Sequence, residues 1–211
     1  MGKGNLIEYD RELGATVCGA DEAGRGCLAG PIVAAAVRLD YDRLSPSACD
    51  RLAELNDSKK LTADCRERLY GVVLDLATAV TVVSRSEGWI DECGLHKTNL
   101  EIVATALDCV WIPGAVALSD GFQVRDSAGV SRGIVKGDAT SAAIAAASVI
   151  AKVSRDRMMR SADERHPGYG FARHVGYATQ AHRDAIVKLG PTPLHRMSFA
   201  SVAYEQLSLV A

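Results

Sequence analysis

The sequence predicts an α/β fold: a mixed sheet with helices packed on it and a helical carboxyl-terminal extension. Three observations carry this. Two short apolar runs stand close together near the start. Apolar runs and helical repeats then alternate through the middle, and beyond about residue 140 only helical patterns remain. Length and composition agree, since 211 residues, 48% of them hydrophobic, suit one domain spanning 1–211 with a proper core, its helical part from about 160 to 211.

Val17 to Asp21 and Ile32 to Leu39 are the two early runs, and Glu22-Ala-Gly-Arg-Gly26 with Pro31 separates them. They read as neighbouring strands joined by a glycine-rich turn. Thr62 to Ala77 repeats apolar residues at helical spacing (Leu69, Val72, Val73, Leu76), with Thr62 as N-cap. Ala79 to Ser84 is rich in β-branched residues and reads as a strand. Leu95 to Val110 reads as a helix, Ala115 to Ser119 as a short buried strand ending at Asp120, and Gly133 to Val135 as an edge strand. Thr140 to Met159 is a long helix whose alanines (Ala142, Ala145, Ala146, Ala147) permit close approach to the sheet. His166 to Gly176 is a glycine-broken loop, Thr179 to Leu189 a helix, and Phe199 to Gln206 a last short helix after Pro191 and Pro193.

No run of about 18 apolar residues offers a membrane span, and the polar start, with Glu8 and Asp10, is no secretory signal. Six cysteines scattered without paired spacing read as reduced thiols of a cytoplasmic protein. Cys93 and His96 would be half of a zinc site that has no second half. The net charge of −2 is unevenly spread. Residues 1–120 carry 12 Lys/Arg against 19 Asp/Glu, and residues 121–211 carry 12 against 7. The basic excess lies in 152–196, with His166, His174, His182 and His195 interleaved. That suits a surface tracking a phosphate backbone, and equally an ordinary solvated helical face.

The chemistry centres on Asp21 and Glu22, adjacent carboxylates at the end of an apolar strand. Side chains at i and i+1 of a strand point to opposite faces, so two carboxylates here are a poor choice for stability. A bound Mg²⁺ or Mn²⁺ explains them, because hard cations gather carboxylate oxygens from several segments. Capping of turn amides is the plainer alternative. Asp120 is a second carboxylate at a strand end, and Asp138 precedes the long helix, where it also suits an N-cap. Gly24, Arg25 and Gly26 supply flexible amides and a guanidinium beside the acids, fit for a phosphate or a sugar hydroxyl, or simply for a tight turn. Lys152 and Asp156, four apart on the long helix, read as a surface ion pair.

The stretch Cys18-Gly-Ala-Asp-Glu-Ala-Gly-Arg-Gly-Cys-Leu-Ala-Gly-Pro31 resembles the signature of bacterial ribonuclease HII. The likeness continues in order through Asn56-Asp-Ser-Lys-Lys-Leu61, Ser119-Asp-Gly121, Lys136-Gly-Asp138, Ala145 to Asp156, His166 to Phe171, His174 to Thr179 and Leu189 to Phe199. It covers about residues 15–200. The resemblance implies a ribonuclease H-like fold with a five-stranded mixed sheet, and Asp21, Glu22, Asp120 and Asp138 as catalytic carboxylates holding Mg²⁺ or Mn²⁺. It implies an endonuclease acting on RNA–DNA hybrids and on single ribonucleotides embedded in duplex DNA. Cleavage would fall on the 5′ side of the ribonucleotide and leave a 3′-hydroxyl and a 5′-phosphate. Gly24, Arg25 and Gly26 would sense the 2′-hydroxyl, Tyr177 would stack on the following deoxyribose, and Lys59 would contact phosphate. Taken alone, Tyr177 reads as an ordinary aromatic and Lys59 as a solvated loop lysine.

Val175 departs from the pattern, which has lysine there, so one backbone contact is expected to be missing. With no aromatic tail for a replication clamp in view, a monomer without clamp docking is expected. The rivals are another carboxylate nuclease or resolvase of this fold, a non-catalytic nucleic-acid binder, and a nucleotide-binding protein. The last lacks any match to G-x-x-x-x-G-K-[ST] or G-x-G-x-x-G.

Overall fold

The computed structural model describes residues 6–58, 60–126 and 129–208. In chain order the elements are α1 (Leu6–Leu13), β1 (Thr16–Ala23), β2 (Ile32–Asp40), α2 (Pro46–Leu52), α3 (Ala63–Leu76), β3 (Ala79–Arg85), α4 (Glu87–Cys93), α5 (Leu95–Val110), β4 (Val116–Asp120), β5 (Arg125–Asp126), β6 (Gly129–Val130) and β7 (Arg132–Ile134). A 3-10 turn (Gly137–Ala139), α6 (Ala142–Arg165), α7 (Phe171–His174), α8 (Gln180–Leu189) and α9 (Val202–Ser208) follow. Five strands form one sheet in the order β3-β2-β1-β4-β7, while β5 and β6 pair as a separate hairpin. β1 runs antiparallel to β2 and β2 to β3, whereas β4 and β7 add in parallel. The sheet is therefore mixed, as the element order predicts.

Strand alternation sorts the core to two sides. Val17, Ala35, Val37 and Leu39 pack with the alanines of α6. Cys18, Ala20, Ala34 and Ala36 pack with Ile102, Val103, Ala106 and Leu107 of α5. Burying each large aliphatic side chain contributes roughly 1.5–3 kcal/mol. The close approach foreseen for the alanine-rich helix occurs at Gly19. A Cβ there would lie 2.3 Å from the Ala143 carbonyl carbon and the Ile144 nitrogen, so any side chain would push α6 off the sheet.

Several boundaries differ from expectation, among them the start of α9 at Val202 rather than Phe199. β1 continues through Asp21 and Glu22 to Ala23, because these residues still pair with Ala35, Ala34 and Val33 of β2. The long helix opens at Ala142 and runs to Arg165, with the Ser141 hydroxyl accepting from the Ile144 amide. Ser141 is thus the N-cap, and Asp138 is released from that duty. α1, α2, α4 and the four-residue α7, which falls in the stretch read as a glycine-broken loop, were not foreseen, since helices of eight residues or fewer show too few turns for a periodic signal. The caps were readable: Ser45 before Pro46 opens α2 and Ser86 opens α4.

The carboxyl-terminal helices pack on the segment after the glycine turn. Ala29 clusters with Met159, Phe171 and Ala185, and Leu28 with Ile186 and Ala203. Ala29 also forms a β-bridge with His195. Among the described residues no helix is long and apolar enough to cross a membrane, and all six cysteines are free.

Candidate active site

The pleat of β1 turns Asp21 toward α6 and Glu22 toward the α5 side. Asp21 is only 6% exposed. Burial, with Glu22 and Asp120 close by, pushes its carboxyl well above the ordinary aspartate range, against hydrogen bonds from Ser148 and from the Glu22 amide. The latter measures 2.7 Å to Asp21 Oδ1. Asp120 ends β4, which lies beside β1, and its Oδ1 accepts from the Gly137 amide at 2.7 Å. A Cβ on Gly137 would stand 2.6 Å from Ile144 Cδ1, which would have to shift, whereas the Gly137 amide makes its direct contact with Asp120. That contact ties the turn carrying Asp138 to the end of β4. All four carboxylates line one cleft of about 420 Å³, with Ser58, Ser148, Lys152, Tyr177 and Ala23 to Gly26. The Ser58 and Ser148 hydroxyls stand 2.9 Å apart in its wall. Lys59 falls outside the described residues.

The carboxylate oxygens are the donor type that Mg²⁺ or Mn²⁺ takes, and a cation would relieve the crowding around Asp21. In their present rotamers, no three His, Cys, Asp or Glu side chains among the described residues converge on one ion position. Asp21 and Asp120 each turn Oδ1 to a backbone amide instead. The set fits a divalent cation in kind, and the cleft gathers the acids without yet converging them.

The glycine turn forms part of the same lining. Gly24 has φ +94°, and a Cβ on it would stand 2.0 Å from Arg155 Nε. Gly26 is at an ordinary φ in open space, so Gly24 alone requires glycine. Arg25 lies over the Phe122 ring at 4.8 Å and 3.9 Å from Glu22 Oε1. Two buried arginines, missed in the sequence, hold the turn from behind. Arg155 donates to the carbonyls of Pro31, Val175 and Ala29, and Arg196 to those of Gly30 and Arg25. A signal for Arg155 existed: at i±3 and i±4 it has Ala151, Lys152, Met158 and Met159, with no carboxylate to pair it at the surface.

Lys152 and Asp156 do pair, at 2.8 Å, but the pair is largely buried rather than on the surface, and Lys152 borders the cleft. Lys152 Nζ also lies 5.6 Å from the Tyr177 ring centre. Tyr177 is 39% exposed. Its loop is stapled to the glycine turn, since Leu28 and Ala29 donate to the Gly176 carbonyl and a Cβ on Gly176 would meet Ala29 O at 2.1 Å. Val175 takes φ 44° and packs against the Ala29 and Phe171 cluster. A β-branched residue there is strained.

Five of the nine Lys/Arg of 152–196 are either buried or ion-paired. Arg155 and Arg196 are buried, Lys152 pairs with Asp156, and Arg157 and Arg160 pair with Glu67. His174, His182 and His195 are buried as well. The backbone-tracking surface expected from charge asymmetry is thereby reduced to Arg165, Arg173, Arg183 and Lys188.

A mixed five-stranded sheet with carboxylates at the ends of its adjacent central strands defines a nuclease of the ribonuclease H class, a phosphodiester hydrolase. A family model described as Ribonuclease HII matches residues 18–202, and the chain belongs to that family. It is 47% identical over 186 residues to a ribonuclease HII of Rhodococcus erythropolis, covering 88% of this chain and 80% of that one. It is 50% identical over 192 residues to a ribonuclease HII of a Chelativorans species, covering 90% and 73%. The crystal structure of a ribonuclease H2 from Pyrococcus horikoshii superposes with a TM-score of 0.75 at 24% identity, covering 92% of this chain and 98% of that one, and shares its fold. The family depends on a divalent metal and acts on RNA-containing nucleic acid.

Proposed function

We propose that this chain, working as a single-domain monomer, cuts the RNA strand of RNA–DNA hybrids and single ribonucleotides embedded in duplex DNA. The cut falls on the 5′ side of the ribonucleotide and leaves a 3′-hydroxyl and a 5′-phosphate. The observation that carries this reading is the composition of the one cleft: four carboxylates, a glycine turn held rigid from behind, and a half-exposed tyrosine.

Asp21, Glu22, Asp120 and Asp138 would hold Mg²⁺ or Mn²⁺. When bound, the metal supplies an activated water and stabilises the leaving 3′ oxygen. The chain's own part is to position the strand. Gly24 and Gly26 let the backbone approach the sugar, and their turn with Arg25 meets the 2′-hydroxyl, the feature that separates RNA from DNA. Tyr177 offers its face to the next deoxyribose, with Lys152 beside it. Lys59 contacts a phosphate. The test is a labelled DNA duplex with one internal ribonucleotide, incubated with Mg²⁺ or Mn²⁺. A nick 5′ to the ribonucleotide is expected. Equal cutting of the all-DNA duplex favours a different nuclease, and binding without cutting favours a non-catalytic binder.

A further inference from the structure

Three histidines lie beneath the Tyr177 loop, away from the carboxylates. His174 and His182 stack with ring centres 4.4 Å apart, and His182 Nε2 stands 3.2 Å from His195 Nε2. All three are at most 9% exposed.

The partners dictate each tautomer. His182 Nδ1 faces the Tyr177 carbonyl at 2.9 Å and must donate, leaving Nε2 as an acceptor. His195 Nε2 is therefore its donor, and His195 Nδ1 accepts from the Thr192 amide at 2.8 Å. His174 Nε2 donates to the Tyr169 carbonyl, and its Nδ1 accepts from the Gly176 amide. The assignment is self-consistent, with each ring neutral. A relay thus runs from the Thr192 amide through His195 and His182 to the Tyr177 carbonyl, which also accepts from Thr179 N. A second path, through His174, fixes Gly176 next to it. Burial pushes His182 and His195 down to about 4, which keeps the relay uncharged at neutral pH.

We infer that His182 and His195 are positioning residues for Tyr177, and that their neutral relay aims its ring and so sets the preference for the RNA–DNA junction over a continuous hybrid. This rests on the stacking role proposed above for Tyr177. Neither imidazole lines the carboxylate cleft, so the relay acts on which strand is accepted and leaves the chemistry at the carboxylates alone.

The test compares cleavage of a single-ribonucleotide duplex and an RNA–DNA hybrid, with kcat and KM for each. His182→Phe keeps the stack on His174 and removes the donor, whereas His182→Asn keeps an N–H close to Nδ1. Loss of one hydrogen bond predicts a roughly two- to tenfold fall in the junction-to-hybrid ratio for His182→Phe. The fall should reside in KM for the junction and be restored by His182→Asn. Adding His182→Phe to Tyr177→Ala should cost nothing further. Independent losses in that double variant, or an unchanged ratio in folded His182→Phe, overturn the relay while Tyr177 keeps its role. An unchanged ratio in Tyr177→Ala removes the stacking reading and the relay with it. Should His182→Phe not fold, His195→Phe reads the same path. Imidazole ¹⁵N shifts of the unaltered protein give a direct check: His182 protonated at Nε2 would overturn the inference.

Discussion

Gly24 and Arg155 fix each other: the glycine is at φ +94°, and its missing Cβ would occupy a point 2.0 Å from the arginine Nε. Arg155 is 1% exposed and spends its donors on the carbonyls of Ala29, Pro31 and Val175. One guanidinium therefore sets the glycine turn and the Tyr177 loop at a common spacing.

Arg155→Met should lower both activity and stability. It leaves the buried Ala29 carbonyl and the part-buried carbonyls of Pro31 and Val175 short of a donor, and a buried group left unpaired costs about 1–3 kcal/mol. Arg155→Lys should restore little, since a point ammonium cannot reproduce the planar fork. Denaturant unfolding checks this, and a loss under 1 kcal/mol for Met would refute it.

Asp21→Asn should reduce cleavage to background yet stabilise the fold. A buried carboxylate beside Glu22 and Asp120 disfavours the folded charged form, and the amide removes that charge. Each kcal/mol gained should raise Tm by about 2–4 °C in a chain of this size. A lowered Tm with retained activity would refute both halves of the assignment.

Tyr177→Ala should cost about five- to more than a hundredfold on the junction substrate, the worth of one aromatic stack at roughly 1–3 kcal/mol. The hybrid should suffer less, and calorimetric metal affinity should hold. An equal loss on both substrates would make Tyr177 a scaffold residue.

Salt should weaken substrate binding only moderately. If all nine Lys/Arg of 152–196 met phosphates, the slope of log K against log salt would be about −8. The four not buried or ion-paired give about −4 or shallower at roughly −0.9 per phosphate. A slope near −8 would show that the ion pairs open on binding.

Acidification should destabilise the fold between about pH 6.5 and 4. His182 and His195 are held near 4 by burial, with His174, His166, Tyr169 and Tyr204 facing them. The unfolded chain then binds more protons in this window, so stability falls as the pH falls, by about 1.4 kcal/mol per unit and histidine at most. Asp21, shifted upward, acts with the opposite sign. A His182→Phe/His195→Phe protein that folds should have a flatter profile from pH 6.5 to 4.

Local pattern was enough for much of this protein. The apolar runs Val17–Asp21 and Ile32–Leu39, the β-branched run Ala79–Ser84, and the helical pattern of 62–77, 95–110 and 179–189 specify their elements, because a strand buried on both faces reads as an unbroken apolar run and a helix buried on one face as a period. The motif order around Asp21-Glu22, Asp120 and Asp138 also let the acids be named before their meeting was seen. Tertiary structure decided what periodicity does not encode. The same residue type, arginine, is a solvated surface charge at Arg173 and a buried staple at Arg155, and only the carbonyls of Ala29, Pro31 and Val175 arriving from distant segments make the difference. Whether Asp138 capped a helix or faced the cleft hung on where α6 began, which Ser141 settled. The histidines read as part of a basic strip became a neutral relay, because protonation follows burial and partners, and neither is a property of sequence alone.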